Sequence, residues 1–167
     1  ATNWKMTIGS TDNPADDIEL YKIGEDFLRI EGFMYNFYEK GTGDSYTLYR
    51  KTTDEDWNKK QGKTYTLDQV KHNIMQIIFP AISPDTEYKT KTTGEVTVKF
   101  ITSEKTEDRK LPVTTYTTIN AKYNFYNGED FAICADYDGE NFLGRDFHYT
   151  LKVMDYTVTE FPDRPTK

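Results

Sequence analysis

The chain has 167 residues, and its 21 Lys and Arg against 28 Asp and Glu give a formal net charge of −7. This length suits one domain, residues 1–167. The acidic balance argues against nucleic-acid binding, which needs a basic surface to neutralise phosphates. It also disfavours anionic membrane surfaces, and no apolar run reaches the roughly 18 residues that a membrane span requires. Hydrophobic residues make up only 36%, but 13 Tyr and 10 Phe can supply large buried areas to a core.

The cellular compartment stays open at this stage. Cys134 is the single cysteine, so no disulfide within the chain is expected. Ala1 fits both a cytosolic chain that has lost its initiator Met and a mature secreted chain. We slightly favour an extracellular, cell-surface or virion location over the cytoplasm.

Alternation of apolar and polar residues predicts strands along the first third of the chain. These strands cover residues 4–8, 18–23, 27–38 and 46–50. In the third of them the apolar face switches at Gly32, which predicts a bulge or bend there. A turn at residues 41–44, rich in Gly and Asp, connects it to the fourth.

Two helices are predicted in the middle of the chain. Thr66 and Gln69 form a capping-box pattern at the start of the longer one. Its apolar stripe comprises Leu67, Val70, Ile74, Ile77 and Ile78, and Pro80 ends it. Residues 54–61 predict a helix of one or two turns, because acids open the segment and lysines close it.

The C-terminal half predicts a strand at residues 95–102, a polar loop at 103–110 and a three-stranded antiparallel meander at 112–161. The first meander strand covers residues 113–125, and Asn127-Gly128 and Asp138-Gly139 supply the two hairpin turns. A bulge is expected near Met154-Asp155, where the apolar face switches. Residues 162–167, with two prolines, predict a flexible or extended arm.

The fold class that follows is mainly β. We expect a single antiparallel β-sandwich or barrel-like domain with one central amphipathic helix and the C-terminal meander.

The aromatic residues around one predicted hairpin are the main candidates for a ligand-binding site. They are Tyr35, Tyr38, Tyr46, Tyr49 and Trp57. Planar rings on a β surface stack against sugars, and Tyr and Trp are also enriched at protein interfaces. The alternative is that these rings form the core, since aliphatic residues are few. Both can hold on an alternating strand, where one row is buried and the other exposed.

The acids Asp136, Asp138 and Glu140 could supply oxygen ligands to Ca²⁺. The favoured alternative is a polar hairpin turn, because the full EF-hand pattern is absent. No other metal or cofactor is expected, since His72, His148 and Cys134 do not form a zinc pattern.

The sequence therefore favours a non-catalytic binding or adhesion domain that recognises a glycan or a surface partner through exposed aromatics. The alternative is a structural subunit of a virion, in its tail or capsid, or of an extracellular filament. Such a subunit would self-assemble through edge strands and terminal arms. An enzyme ranks third, because the 28 acidic residues single out no catalytic pair.

Overall fold

The computed structural model describes residues 3–10, 17–60, 62–75, 90–117, 122–127, 132–140 and 146–165. These residues form eleven strands and one helix, so the predicted mainly-β class is confirmed. The strands are β1 (Trp4–Ser10), β2 (Ile18–Ile23), β3 (Asp26–Glu31), β4 (Met34–Lys40), β5 (Tyr46–Thr52), β6 (Asn58–Lys59), β7 (Thr90–Ile101), β8 (Thr106–Thr117), β9 (Lys122–Asn127), β10 (Ala132–Glu140) and β11 (Asp146–Asp155). The helix, α1 (Leu67–Met75), lies between β6 and β7.

The described strands join one mixed sheet in the order β10-β9-β8-β7-β11-β1-β2-β3-β4-β5-β6. Neighbours run antiparallel, as predicted, except β7 and β11, which run parallel. One edge of β11 pairs with β1, while the other is shared between β10 and β7. As a result, the pairings from β7 through β8, β9, β10 and β11 return to β7 and close a cycle.

The predicted long strand at residues 27–38 is wrong, because the chain reverses at Gly32. Glu31 pairs with Met34, and Gly32 has a φ of 58°, so two strands replace one bulged strand. Glycine with positive φ at the first position of a two-residue loop is typical of a type II′ hairpin turn, which matches the twist of the paired strands.

Helix α1 begins as the capping box predicts. The Thr66 backbone N–H donates to Gln69 Oε1 at 2.9 Å, and the Gln69 N–H donates to Thr66 Oγ1 at 3.2 Å. The predicted continuation to Pro80, with Ile77 and Ile78, lies outside the described residues.

The predicted short helix at residues 54–61 is wrong. Residues 54–60 form a turn and then β6, which pairs with β5 through Tyr49↔Lys59 and Arg50↔Asn58, and residue 61 lies outside the described residues. Strand pairing satisfies backbone groups along the edge of β5, which one or two isolated helical turns would leave exposed.

The meander prediction is correct in that neighbouring strands pair antiparallel, but the number of strands is wrong. Residues 113–125 are split between β8 and β9, which pair antiparallel through Thr117↔Lys122. The predicted loop at residues 103–110 is also too long, since β8 begins at Thr106 opposite Ile101. The meander therefore contains the four strands β8 to β11 rather than three.

The predicted turn at Asp138-Gly139 is wrong, because both residues lie within β10. Gly139 pairs with Phe147 and Glu140 pairs with Asp146, so β10 continues through both predicted turn residues. Asp138 pairs with both β9 and β11 and Gly139 pairs with β11, and this strand pairing overrides the local turn preference of Asp-Gly.

A bulge occurs in β11, but at Lys152 rather than at Met154-Asp155. Thr7 pairs with Val153 and Ile8 pairs with Leu151, which leaves Lys152 as the extra residue. The bulge explains why Leu151 and Met154, three residues apart, are both buried.

Strands β2 to β5 carry apolar side chains on two faces. We call one the inner face, because its residues pack with Val70 and Ile74 of α1 and with β1, β7, β8 and β11 in the main core. The inner face of these four strands comprises Ile18, Leu20, Phe27, Tyr38, Tyr46 and Leu48. The opposite face forms a second, smaller cluster.

Candidate functional site

The second cluster, which we call the outer aromatic face, gathers rings from β2, β4, β5 and the segment before β6, together with two aliphatic side chains from β3. It comprises Tyr21, Leu28, Ile30, Tyr35, Phe37, Tyr49 and Trp57. Three of the five predicted ligand-binding residues, Tyr35, Tyr49 and Trp57, lie here with half-buried side chains. The fold therefore brings these three to one surface.

Tyr38 and Tyr46 lie on the inner face, so they are withdrawn from the candidate site. Their exposed fractions are only 4% and 2%. Burial raises the pKa of both hydroxyls. The physical reason is strand alternation: Tyr38 is three residues from Tyr35, and Tyr46 is three residues from Tyr49, so each pair is divided between opposite faces.

Trp57 is the centre of the outer aromatic face. Its ring centroid lies 6.2 Å from that of Tyr35 and 6.0 Å from that of Phe37, with interplanar angles of 89° and 68°. Edge-to-face contacts of this kind place the positive edge of one ring against the negative face of another. Lys51 Nζ lies 4.9 Å from the Tyr35 centroid and 5.4 Å from Trp57, within the range of cation–π attraction.

Part of the outer aromatic face is covered by residues 161–165, which we call the C-terminal segment. The Phe161 ring lies 5.0 Å from Phe37 at an interplanar angle of 76°, and 6.4 Å from Tyr21. Pro165 is buried. Phe161 therefore extends the ring cluster of the strands with a ring from a distant part of the chain.

Asp163 connects the C-terminal segment to the centre of the ring cluster. The Trp57 indole N–H donates to Asp163 Oδ1 at 3.2 Å, and Lys51 Nζ forms an ion pair with Asp163 Oδ2. Hydrogen bonding from Lys51 holds the pKa of the Asp163 carboxyl below its usual value. The indole and ammonium donors thus favour an ionised carboxylate at this position.

Arg164 makes the complementary charged contact at the next residue. Its Cζ lies 5.3 Å from the Phe37 centroid, and its Nη2 lies 3.5 Å from Asp26 Oδ2 and 4.0 Å from Glu39 Oε2. Asp26 also accepts a hydrogen bond from the Lys40 backbone N–H at 2.8 Å. Burial raises the pKa of Asp26, a change that the Lys40 N–H and Arg164 oppose.

Another ion pair lies at the β1 and β2 side of the outer aromatic face. Lys5 Nζ is 3.5 Å from Glu19 Oε1 and 5.4 Å from the centroid of Tyr21. The Tyr21 hydroxyl donates to Glu19 Oε2 at 3.0 Å, and burial raises its pKa. The charged groups of Lys5 and Glu19 therefore lie beside the ring of Tyr21, on the β1 and β2 side of the outer aromatic face.

The tip of the β3–β4 hairpin carries a feature that sequence reasoning missed. Phe33 and Met34 expose 66% and 37% of their surface and are the large exposed hydrophobic residues of the described chain. The type II′ turn places Phe33 directly after Gly32 in the loop. The sequence signal for this exposed ring was Gly32-Phe33, which stands where the apolar face of the predicted strand switches.

The calcium candidates Asp136, Asp138 and Glu140 occupy alternate positions of β10, so the turn on which that prediction relied is not formed. Within the described residues, no group of three metal-ligating side chains is found. In the same part of the chain, no helix is long and apolar enough to cross a membrane. No family model matches the sequence, and searches of curated proteins and solved structures found no similar protein.

Proposed function

We propose that this chain is a non-catalytic binding or adhesion domain that recognises a glycan or a protein surface through the outer aromatic face. The observation that supports this function is the gathering of Tyr35, Tyr49 and Trp57 on one surface, each with part of its side chain exposed. An amphipathic ring of this kind offers a large apolar area and a polar tip to a ligand.

The rings of Tyr35 and Trp57 have a defined orientation before any ligand arrives. They contact each other edge to face, and Lys51 lies over both. Because the rings are already oriented, binding costs less side-chain conformational entropy, and more of the contact energy appears as affinity.

Two ligand classes match this surface. A sugar presents apolar faces and hydroxyl groups that suit Tyr rings and their hydroxyls. A protein surface suits Tyr and Trp anchors and would also use the exposed Phe33 and Met34 at the hairpin tip.

Substitution of Tyr49 tests the proposal in the full chain. The wild type is screened against printed glycans and displayed peptides, and the affinity for any binder is then measured by calorimetry. We expect Tyr49→Ala to weaken binding about tenfold or more, because an aromatic side chain that anchors an interface is worth about 2 kcal/mol.

Tyr156→Ala is the matched control, because Tyr156 is a half-buried ring that packs against Phe100 of the main core instead. Its affinity should equal that of the wild type. Equal losses in both variants, or a wild type that binds neither library, would contradict the proposed surface.

A second candidate is a structural subunit of a virion or an extracellular filament. Among the described strands, β7 residues 90–98 and β8 residues 106–112 each have one edge without a partner strand. The β8 edge carries Asp108, Arg109, Lys110 and Pro112, and such charges and proline hinder the addition of another strand. The β7 edge contains no proline and is the better position for a neighbouring copy.

Light scattering coupled to size-exclusion chromatography over a concentration series tests this second candidate. A subunit that assembles with itself should increase in mass as concentration rises. A mass of 19.5 kDa at every concentration would contradict self-assembly.

A further inference from the structure

We call the part of the outer aromatic face and its flanking charged residues that contacts the C-terminal segment the seat. Its residues are of the kinds found at an interface between two separate chains. Phe161 provides an aromatic anchor against Phe37, while Asp163 and Arg164 meet opposite charges on the outer aromatic face. Adjacent charges of opposite sign, each with its own partner, fix the register and direction in which such a segment can bind.

The connection between this segment and the rest of the chain is short and lies outside the strands. Strand β11 ends at Asp155, and residues 156–160 belong to no strand or helix. Thr157, Thr159 and Glu160 are exposed. Tyr156 holds the start of this connection to the main core, because its N–H donates to the Ile101 carbonyl at 2.8 Å and its ring packs against Phe100. The part that can open is therefore residues 157–160, none of which belongs to the main core, so the C-terminal segment can leave its seat without changing that core.

We propose that the seat on the outer aromatic face binds the C-terminal segment of a second copy of this chain, so that two copies exchange residues 161–165. The occupant follows from the structure, because every copy carries the segment whose aromatic, acidic and basic groups this seat already accommodates. Exchange of an identical element needs no new interface chemistry, only a connector that opens. The inference gives the assembly function a second contact surface besides the β7 edge, and it rests on that proposed function.

A charge-reversal pair of full-length variants tests the exchange. In Lys51→Glu, residue 51 repels Asp163 of the same chain; in Asp163→Lys, residue 163 repels Lys51 of the same chain. In each variant alone, residues 51 and 163 carry like charges, whether they meet within one copy or between two copies. When the two variants are mixed, residue 51 of each copy meets residue 163 of the other copy with the opposite charge.

We expect each variant alone to remain at the monomer mass of 19.5 kDa in light scattering, and the equimolar mixture to form a species of twice that mass. A mixture that stays at monomer mass overturns the exchange. The double variant Lys51→Glu with Asp163→Lys, which restores opposite charges within one chain, establishes that the reversed pair is compatible with folding.

The Lys5–Glu19 ion pair offers a matched control on the same side of the sheet. Lys5→Glu mixed with Glu19→Lys carries an equivalent charge reversal but no exchangeable segment, and this mixture should remain monomeric. If it also dimerises, the doubled mass comes from general charge complementarity and the proposed exchange is overturned.

A binding measurement that does not use Lys51→Glu supports the test if that variant folds poorly. The probe is a fluorescein-labelled peptide of residues 157–167 of this chain, added to full-length Asp163→Lys. We expect saturable anisotropy, with at least tenfold weaker binding of the same peptide carrying Asp163→Lys. Absence of binding, or equal binding of both peptides, overturns the seat as a site for a second copy.

The concentration series on the wild type separates this inference from the assembly function. A wild type that assembles, together with a charge-reversal mixture that stays monomeric, overturns the exchange but leaves assembly through the β7 edge. If the wild type and the mixture both stay at 19.5 kDa, the exchange and the assembly function are both overturned.

Discussion

The two faces of strands β2 to β5 are built by the same alternation of side chains, yet they are covered in different ways. The inner face, with Phe27 and Leu48 almost fully buried, is covered by α1 and by strands from the rest of the sheet. The outer aromatic face is partly covered by five residues, of which Asp163 and Arg164 are charged. An apolar cover made by many elements stabilises the whole domain, whereas a short and partly ionic cover can be removed locally.

The largest expected effect comes from the inner face. Phe27→Ala should lower the free energy of unfolding by about 3–5 kcal/mol, because it removes a buried ring and leaves a cavity. Phe27 is 1% exposed and contacts the rings of Trp4 and Tyr46, with centroids 6.5 Å and 6.1 Å away. Urea denaturation followed by circular dichroism measures the change. A decrease in the free energy of unfolding of less than about 1 kcal/mol would contradict the burial of Phe27 on the inner face.

A smaller effect is expected on the outer aromatic face. Phe161→Ala should cost about 1–3 kcal/mol, since the ring is half-buried and forms two aromatic contacts. It should also increase proteolysis within residues 156–165, which mass spectrometry of the fragments detects. Phe33→Ala is the matched control, because that ring is 66% exposed and should change stability by about 0.5 kcal/mol or less. Equal losses in the two variants would remove the evidence for a docked segment.

The smallest effect is electrostatic and depends on pH. Hydrogen bonding from Lys51 lowers the pKa of Asp163 in the folded state. The ion pair therefore stabilises the fold above the unfolded pKa of about 4, and this stabilisation is lost as pH falls through the lower folded value. Because Asp163 is 39% exposed, solvent limits the effect to about 1 kcal/mol or less.

Denaturation of the wild type and Asp163→Asn across pH measures this contribution. The difference in stability between them should be greatest near neutral pH and should shrink below about pH 4, as the wild-type carboxylate becomes protonated. A difference that stays constant from pH 7 to pH 3 would show that the ion pair with Lys51 does not stabilise the segment.

Some of the candidate site was predictable from residue spacing alone. Tyr35 and Tyr38, or Tyr46 and Tyr49, cannot share a face of one regular strand because their positions differ by three, an odd number. The alternation thus implies that the four predicted Tyr rings are divided between two faces, although it does not say which face is buried. That choice depends on which face receives α1 and the remaining strands, and those contacts are distant in sequence.

Turn positions show where local patterns lose their predictive value. Gly32 marked an irregularity, but the choice between a bulge and a hairpin depends on whether β3 and β4 pair with each other. Asp138-Gly139 is a strong turn signal that lies inside a paired strand. Here the hydrogen bonds to two neighbouring strands outweigh a local preference of about 1 kcal/mol.

The sequence by itself determined the mainly-β class, the positions of β1 and β2 and the capping box of α1, because each of these depends on residues only a few positions apart. The tertiary structure decided that β11 lies between β1 and β7, that Trp57 contacts Asp163, and that Phe161 joins the outer aromatic face. Trp57 and Asp163 are 106 residues apart, and a contact of that range forms only once the strands between them have paired. The physical reason is that alternation sets which side chains share a face, while long-range pairing sets what covers each face.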